Sequence, residues 1–356
     1  MNQWIYLILG IVLFSSCKKE GCTDPLAINY DPDSEINNGS CNYFETTPYV
    51  IETPYGFPDM IIPSDNPMTV EGVELGKKLF KDPILSANNT LACINCHLPS
   101  SSFSDPNQFS SGVNGTLGDR HASALINVGW NNSFNWDGSA SSLEEQAFEP
   151  VTNPLEMHNS WKNVENTLNQ HPGYLQLFKQ AFNIDYIDSL HVVKAIAQFE
   201  RSLISTNSKF DKYLRGEISL TASEMNGYAI FNSEKGDCFH CHGTQMFMDN
   251  QFHNNGLDIE PFLDLGLGSV TGNPSDNGKF KTPTLRNIEL TAPYMHDGRF
   301  TNLEEVIEHY DNGGHYSSTV DPLMKKLGVG LLLTNQEKED LISFLLTLTD
   351  EEFGIE

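Results

Sequence analysis

Two pentapeptides constrain this chain more than anything else in it: Cys93-Ile94-Asn95-Cys96-His97 and Cys238-Phe239-His240-Cys241-His242, both C-x-x-C-H. This is the pattern of covalent c-type haem attachment. The two thiols add across the porphyrin's vinyl groups, a two-residue spacer matches their separation on one helical turn, and the adjoining imidazole falls beneath the iron as proximal ligand. A dithiol redox motif has no use for that histidine in both copies, and a zinc site would have to gather its ligands from motifs 145 residues apart. Two covalently bound c-type haems, held by Cys93, Cys96, His97, Cys238, Cys241 and His242, are therefore expected.

Three cysteines remain, Cys17, Cys22 and Cys41. The apolar run Trp4–Phe14 is short of the ~20 residues that span a bilayer and leads into Phe14-Ser15-Ser16-Cys17. Residues 1–17 read as a signal peptide whose end resembles a bacterial lipobox, with Cys17 as the lipidated residue. No Lys or Arg precedes the apolar run, so plain secretion is the alternative. Either route predicts an exported protein of the cell envelope, facing the periplasm or anchored in the outer membrane by its N-terminal lipid, where disulfides persist. Cys22 and Cys41 bracket an Asp/Asn/Gly/Pro-rich turn cluster that resembles short segments of secreted bacterial proteins. Pairing them closes a loop of about 20 residues, worth on the order of 3 kcal/mol. The acidic positions of this module read as a solvated turn in preference to a Ca²⁺ site. Residues 18–66 are thus a stapled module followed by a Pro-rich linker, Thr46–Asn66.

The chain's 356 residues hold 47 acidic against 21 basic side chains, a net charge of -26. Nucleic acid is excluded as a partner, because no basic stripe is available to displace phosphate counterions. The same charge suits a cationic redox partner. Apolar spacing predicts helices over Val70–Lys81, Trp161–Asn169, Gly173–Phe182 and Ile187–Ser205. Capping boxes at Thr221/Glu224 and Thr334/Glu337 open two more, Met225–Asn232 and Lys338–Leu348. Strand signals are nearly absent. The expected fold is mainly α, with two cytochrome c-like domains at residues 67–210 and 211–356, their haems facing a shared interface.

From about Asn66 to its end the sequence resembles the bacterial dihaem cytochrome c peroxidase and MauG family. Beyond the two haem motifs the resemblance rests on Phe103-Ser104-Asp105, Phe134-Asn135-Trp136-Asp137-Gly138, Leu143-Glu144-Glu145-Gln146-Ala147, Pro150, Asn153-Pro154-Leu155-Glu156-Met157, Pro283-Thr284-Leu285-Arg286-Asn287, Ala292-Pro293-Tyr294-Met295-His296-Asp297-Gly298 and Leu303-Glu304-Glu305-Val306. It implies reduction of hydrogen peroxide to water at the N-terminal haem, with electrons from a small cytochrome c or cupredoxin passing through the C-terminal haem. It makes Glu156 the pocket acid, Gln146 and Pro150 pocket-wall residues, and Trp136 the relay between haems. Heterolysis of the O–O bond requires a base that takes a proton from the near oxygen and returns one to the far oxygen, which suits a carboxylate.

Two departures bear on mechanism. Many relatives close the peroxidatic iron at rest with a histidine just after the first motif, but the matching stretch here is Ser110–Gly115, without one. His121 falls where the family usually has an asparagine of an inter-haem calcium site, to which the Thr291 and Pro293 carbonyls would also contribute. The resemblance also implies Tyr310 as the sixth ligand of the C-terminal iron, since it stands 14 residues after His296, where MauG-like members have a tyrosine. Met295 is the alternative and His309 a third choice. A phenolate favours the higher oxidation states of iron. A MauG-like oxidase acting on a protein or small molecule is the alternative function, and a non-enzymatic dihaem electron carrier a third.

Overall fold

The computed structural model describes residues 18–353, so the signal peptide and Cys17 lie outside the described residues. Six helices make the first packing unit: α1 (Val70–Lys81), α2 (Leu143–Gln146), α3 (Glu149–Thr152), α4 (Trp161–Asn169), α5 (Pro172–Phe182) and α6 (Ser189–Arg201). Six make the second: α7 (Lys209–Leu214), α8 (Ala222–Phe231), α9 (Phe239–His242), α10 (Leu267–Thr271), α11 (Leu303–Asp311) and α12 (Asn335–Leu346). Among the described residues sheet is confined to two short pairs, the parallel β1 (Glu20–Gly21) with β2 (Ile36–Asn37) and the antiparallel β3 (Phe252–His253) with β4 (Phe280–Lys281). No described helix is long and apolar enough to cross a membrane.

The helix ends follow from local chemistry. Thr221 and Glu224 form a reciprocal capping box on α8, and Thr334 and Glu337 do the same on α12. Asp188 caps α6, which ends at Arg201, short of the Ser205 that apolar spacing predicts. Beyond it the chain leaves the helix because the Asn127 side chain captures the backbone of Ser205, with bonds of 2.9 and 3.0 Å.

Each unit is built on one helix crossing. In the first, α1 lies across α6, and a Cβ on Gly76 would overlap the Ala195 carbonyl. In the second, α8 lies across α12, and a Cβ on Gly227 would overlap the Asp340 carbonyl. The flanking side chains form two separate cores: Leu75, Leu79, Val192 and Ile196 belong to one, Phe210, Phe231, Leu341 and Phe344 to the other.

Cys22 and Cys41 form a disulfide, with Cα atoms 4.8 Å apart. Asp31 of this module pairs with Lys19 at 2.7 Å, and Asp24 accepts the Tyr43 hydroxyl at 2.6 Å. The module docks on α5 through Lys179 and Asn183, which donate to the Pro25 and Phe44 carbonyls. The Pro-rich segment after it is packed, not free as a linker would be. Phe57 is buried with Met246 and Met248, makes an edge contact with Trp130 and lies beneath the Arg286 guanidinium, while Trp130 donates its indole N–H to the Pro58 carbonyl. Residues 47–66 therefore strap one unit to the other.

If these crossings set the cores, Gly227→Ala should destabilise the protein by about 1–3 kcal/mol through overpacking, although alanine is the better helix former by ~1 kcal/mol. Chemical denaturation of the holoprotein measures this. An unchanged or raised midpoint would show that α8 and α12 can part without loss.

Candidate haem sites and the cavity between them

Cys93 to Asn95 form a single 3₁₀ turn, tightened by the Asn95 side chain, which accepts from the Ala92 amide at 2.8 Å. His97 follows, and its Nδ1 lies 2.8 Å from the Phe103 carbonyl. A carbonyl only accepts, so Nδ1 carries the proton and Nε2 keeps its lone pair for a metal. The second motif repeats this, with His242 Nδ1 donating to the Phe247 carbonyl at 2.7 Å. Both accepting residues sit in the left-handed region, Phe103 at φ +58° and Phe247 at φ +51°, which is uncommon for a bulky side chain. Their rings are clamped by aromatic clusters: Phe103 touches Phe80, Phe199 and Phe353, and Phe247 touches Phe210, Phe231 and Phe344.

Both motifs open on one cavity of about 600 Å³. The donor set fits covalently attached haem. Burial pushes the Cys93 thiol up and the Cys238 thiol up to about 12, and their charged neighbours, Glu200 and Asp237, are acids that oppose a thiolate. Such sulfurs suit thioethers and not a metal-thiolate cluster.

An internal repeat organises the distal side. Phe134, Asn135, Gly138 and Leu143 stand 160 residues before Tyr294, Met295, Gly298 and Leu303. The geometry repeats with the spacing. Phe134 donates to the Ala140 carbonyl and Tyr294 to that of Phe300, Asn135 and Met295 are both left-handed, and Ser142 and Asn302 cap the helices that follow. At the same offset Pro150 corresponds to Tyr310. In the second unit α11 runs unbroken through Tyr310. In the first, the equivalent helix is broken into α2 and α3, with Pro150 in the first turn of α3 where a missing N–H is tolerated. Pro150 thus puts a side chain with no donor atom where the other unit has a phenol.

Glu156, Gln146, Pro150 and Trp136 all line the cavity. Glu156 accepts from the Asn153 amide at 2.9 Å on one oxygen; burial pushes its carboxyl up to about 7, with Glu149 adding to the effect. The Ser110–Gly115 loop closes over this segment through a 2.9 Å bond from the Val113 amide to the Glu156 carbonyl. Trp136 donates its indole N–H to the His121 carbonyl at 2.8 Å and receives the Lys281 amide on its own carbonyl at 2.8 Å, joining both units.

Around the second motif the Asn255 amide reaches both candidate sixth ligands, 3.2 Å from the Tyr310 hydroxyl and 3.6 Å from the Met295 sulfur. Burial pushes the Tyr310 phenol up to about 12. His309 is turned away, its Nε2 3.2 Å from the Asn255 carbonyl. Thr291 and Pro293 line the cavity, and His121 lies beside them. The buried His121 imidazole bonds the Ser104 hydroxyl at 3.0 Å and faces the backbone oxygens of Gln108, Asn107 and Thr291. Three further groups carry no motif signal: Asn255, the buried Glu200, whose carboxyl is pushed up to about 8 and has one oxygen without a partner, and the buried Lys281.

A sequence model of the di-haem cytochrome c peroxidase family matches residues 70–219. The methylamine utilization protein MauG of Methylorubrum extorquens is 38% identical over 295 residues, which cover 82% of each chain. The cytochrome c551 peroxidase of Nitrosomonas europaea is 34% identical over 291 residues, 80% of this chain and 82% of the relative. This chain belongs to the dihaem cytochrome c peroxidase family. Its fold agrees. The crystal structure of a MauG-like protein associated with microbial copper homeostasis superposes with a TM-score of 0.79 at 37% identity, covering 85% of this chain and 96% of that one. The diheme peroxidase BthA of Burkholderia thailandensis, at 21% identity, shares the fold with a TM-score of 0.70 over 86% and 94% of the two chains. As a family member the protein carries two c-type haems, and His97 and His242, each with Nδ1 bound to a carbonyl, would offer Nε2 to their irons.

Intact mass of exported, matured protein should exceed that of the bare chain by two haems. Cys93→Ala with Cys96→Ala should remove one haem, and Cys238→Ala with Cys241→Ala the other. A single haem in the parent protein would contradict the two-site geometry.

Proposed function

We propose that this protein reduces hydrogen peroxide to water at the haem of the first motif, H₂O₂ + 2e⁻ + 2H⁺ → 2H₂O, using electrons from a small cytochrome c or cupredoxin. The observation that carries this reading is the asymmetry at the repeat: Pro150 leaves one distal face without a ligating atom while Tyr310 fills the equivalent place in the other. When bound, the first haem's iron supplies the peroxide-binding position and accepts the oxidising equivalents. The chain supplies the rest. Glu156, with one oxygen held by Asn153, has the other free to take the proton of the near peroxide oxygen and hand it to the far one. A carboxyl near 7 is matched to both tasks at neutral pH. Gln146 has an amide with no protein partner among the described residues and offers it to the bound peroxide. Pro150 crowds the face and limits what enters, and Trp136, hydrogen-bonded to both units, is the relay for electrons.

The Tyr310 position favours a second reading, a MauG-like one, in which the oxidising equivalents of H₂O₂ are spent on another substrate that gives up two electrons; the 38% identity to a MauG supports it. Neither reading requires calcium. His121 presents ring nitrogens where an oxygen donor is expected, and hard Ca²⁺ takes oxygen. Export through the N-terminal segment, with or without a lipid on Cys17, belongs to the same proposal and places the enzyme in the cell envelope.

Steady-state consumption of H₂O₂ with a reduced cytochrome c tests the reading. In the parent protein the rate of reaction with peroxide should rise with pH through about 7, because the deprotonated Glu156 is the base. Glu156→Gln should lower it by a factor on the order of 10² to 10⁴ and remove that limb. Undiminished turnover in the variant would return Glu156 to a passive wall residue.

The as-isolated diferric protein should react with H₂O₂ without prior reduction, since Ser110–Gly115 and Pro150 offer no ligand to displace. Tyr310→Phe should convert the second haem's spectrum from six- to five-coordinate, while Met295→Leu leaves it unchanged. The reverse result would make Met295 the ligand.

A further inference from the structure

Lys281 lies on β4 in the wall of the shared cavity and is 8% exposed. Its amide donates to the Trp136 carbonyl at 2.8 Å, so the side chain springs from the seam between the two units. Among the described residues its ammonium makes neither a hydrogen bond nor an ion pair. The neighbouring carboxylates are already engaged. Asp249 takes His253 Nε2 at 2.8 Å on one oxygen and the Gln251 amide at 2.9 Å on the other. Asp321 takes His253 Nδ1 at 2.6 Å and the Leu323 amide at 2.8 Å. Across the seam, Asp137 is held by Arg120 at 2.6 Å and by the Ser139 amide at 3.0 Å. Arg120 is itself shared between Asp137 and Asp264.

A buried ammonium without a counter-ion is among the costlier things a fold can hold. Burial pushes the Lys281 amine down to about 8, and Asp249 is the one charge nearby that favours its cationic form. The cost is removed by an anion delivered from within the cavity. Each c-type haem brings two propionates, and a chain of net charge -26 has few cations to meet them. Around this seam Arg120 is already paired and His253 is already clamped by two aspartates.

We propose that Lys281 is the counter-ion of a haem propionate at the seam between the two domains. The pair keeps that propionate ionised whatever the oxidation state of the iron, and it ties the porphyrin edge to the strand that grips Trp136. The inference rests on the family's two haems and not on which substrate the enzyme turns over, so loss of peroxide activity alone would leave it standing.

The test is a redox titration of the holoprotein, with both haems confirmed by intact mass, followed by visible absorbance between about pH 6 and 8, where an unpaired buried carboxyl titrates. In the parent protein the midpoint of the paired haem should be flat across this range. In Lys281→Met it should fall as pH rises, because the unpaired propionate now takes up a proton on reduction. Lys281→Arg should restore the flat profile, and Lys281→Gln serves as the neutral variant if the methionine form fails to load both haems. A slope confined to the haem on Cys238 and Cys241 assigns the propionate to that haem, and one confined to the haem on Cys93 and Cys96 assigns it to the other. Midpoints and slopes in the neutral variants equal to the parent's at both haems would overturn the proposal, as would a slope that arginine does not restore.

Discussion

Two hydrogen bonds govern the placement of everything else: His97 to the Phe103 carbonyl and His242 to the Phe247 carbonyl. Each fixes a tautomer and a ring direction, and so would decide where the iron of an attached haem sits. Neither bond is local in its cause. The carbonyl points at the imidazole because its phenylalanine adopts a left-handed backbone. That backbone persists because the phenylalanine ring is clamped in an aromatic cluster. The cluster exists because α1 meets α6, and α8 meets α12, closely enough for glycine alone at the crossing. The chain of dependence runs from a missing Cβ to the aim of a proximal ligand.

The same frame, used twice, makes differences between the halves informative. Corresponding residues 160 apart keep their turn geometry and caps, so the exchange of Tyr310 for Pro150 stands against a constant background. A helix interrupted at one site and continuous at the other is the backbone's response to that exchange. One cavity-facing side chain differs, and the change of backbone is confined to the helix that carries it. The Glu156 carboxyl is raised by burial next to the half that carries Pro150, where a proton-transfer group is useful.

How much of this could be read in advance depended on the range of the signal. The haem motifs, the Thr221 and Thr334 capping boxes and the apolar stripes are written within a few residues of one another, and the helices they predict are present to within a few residues at each end. Ser205 lies outside α6 because its backbone is captured by Asn127, 78 residues earlier, which no periodicity announces. Thr46–Asn66 has the proline content of a linker, yet Phe57 finds its partners at Trp130, Met246 and Arg286. The pocket residues Glu156 and Gln146 came from resemblance, not from spacing, because a carboxylate after Pro-Leu has no local mark of burial. Asn255, Glu200 and Lys281 were invisible for the same reason.

The strap formed by residues 47–66 has a consequence for how the enzyme works in time. Phe57 is wedged between Trp130 of one half and Met246 of the other, the Trp136 carbonyl accepts the Lys281 amide, and Arg120 reaches Asp264 across the seam. Opening the molecule like a hinge would break all of these together. The seam therefore holds the two haem-attachment motifs at one separation, so the distance an electron would cover between their haems is set by packing. Because tunnelling falls off steeply with distance, a molecule laced together in this way would pass electrons at a rate that thermal breathing barely perturbs.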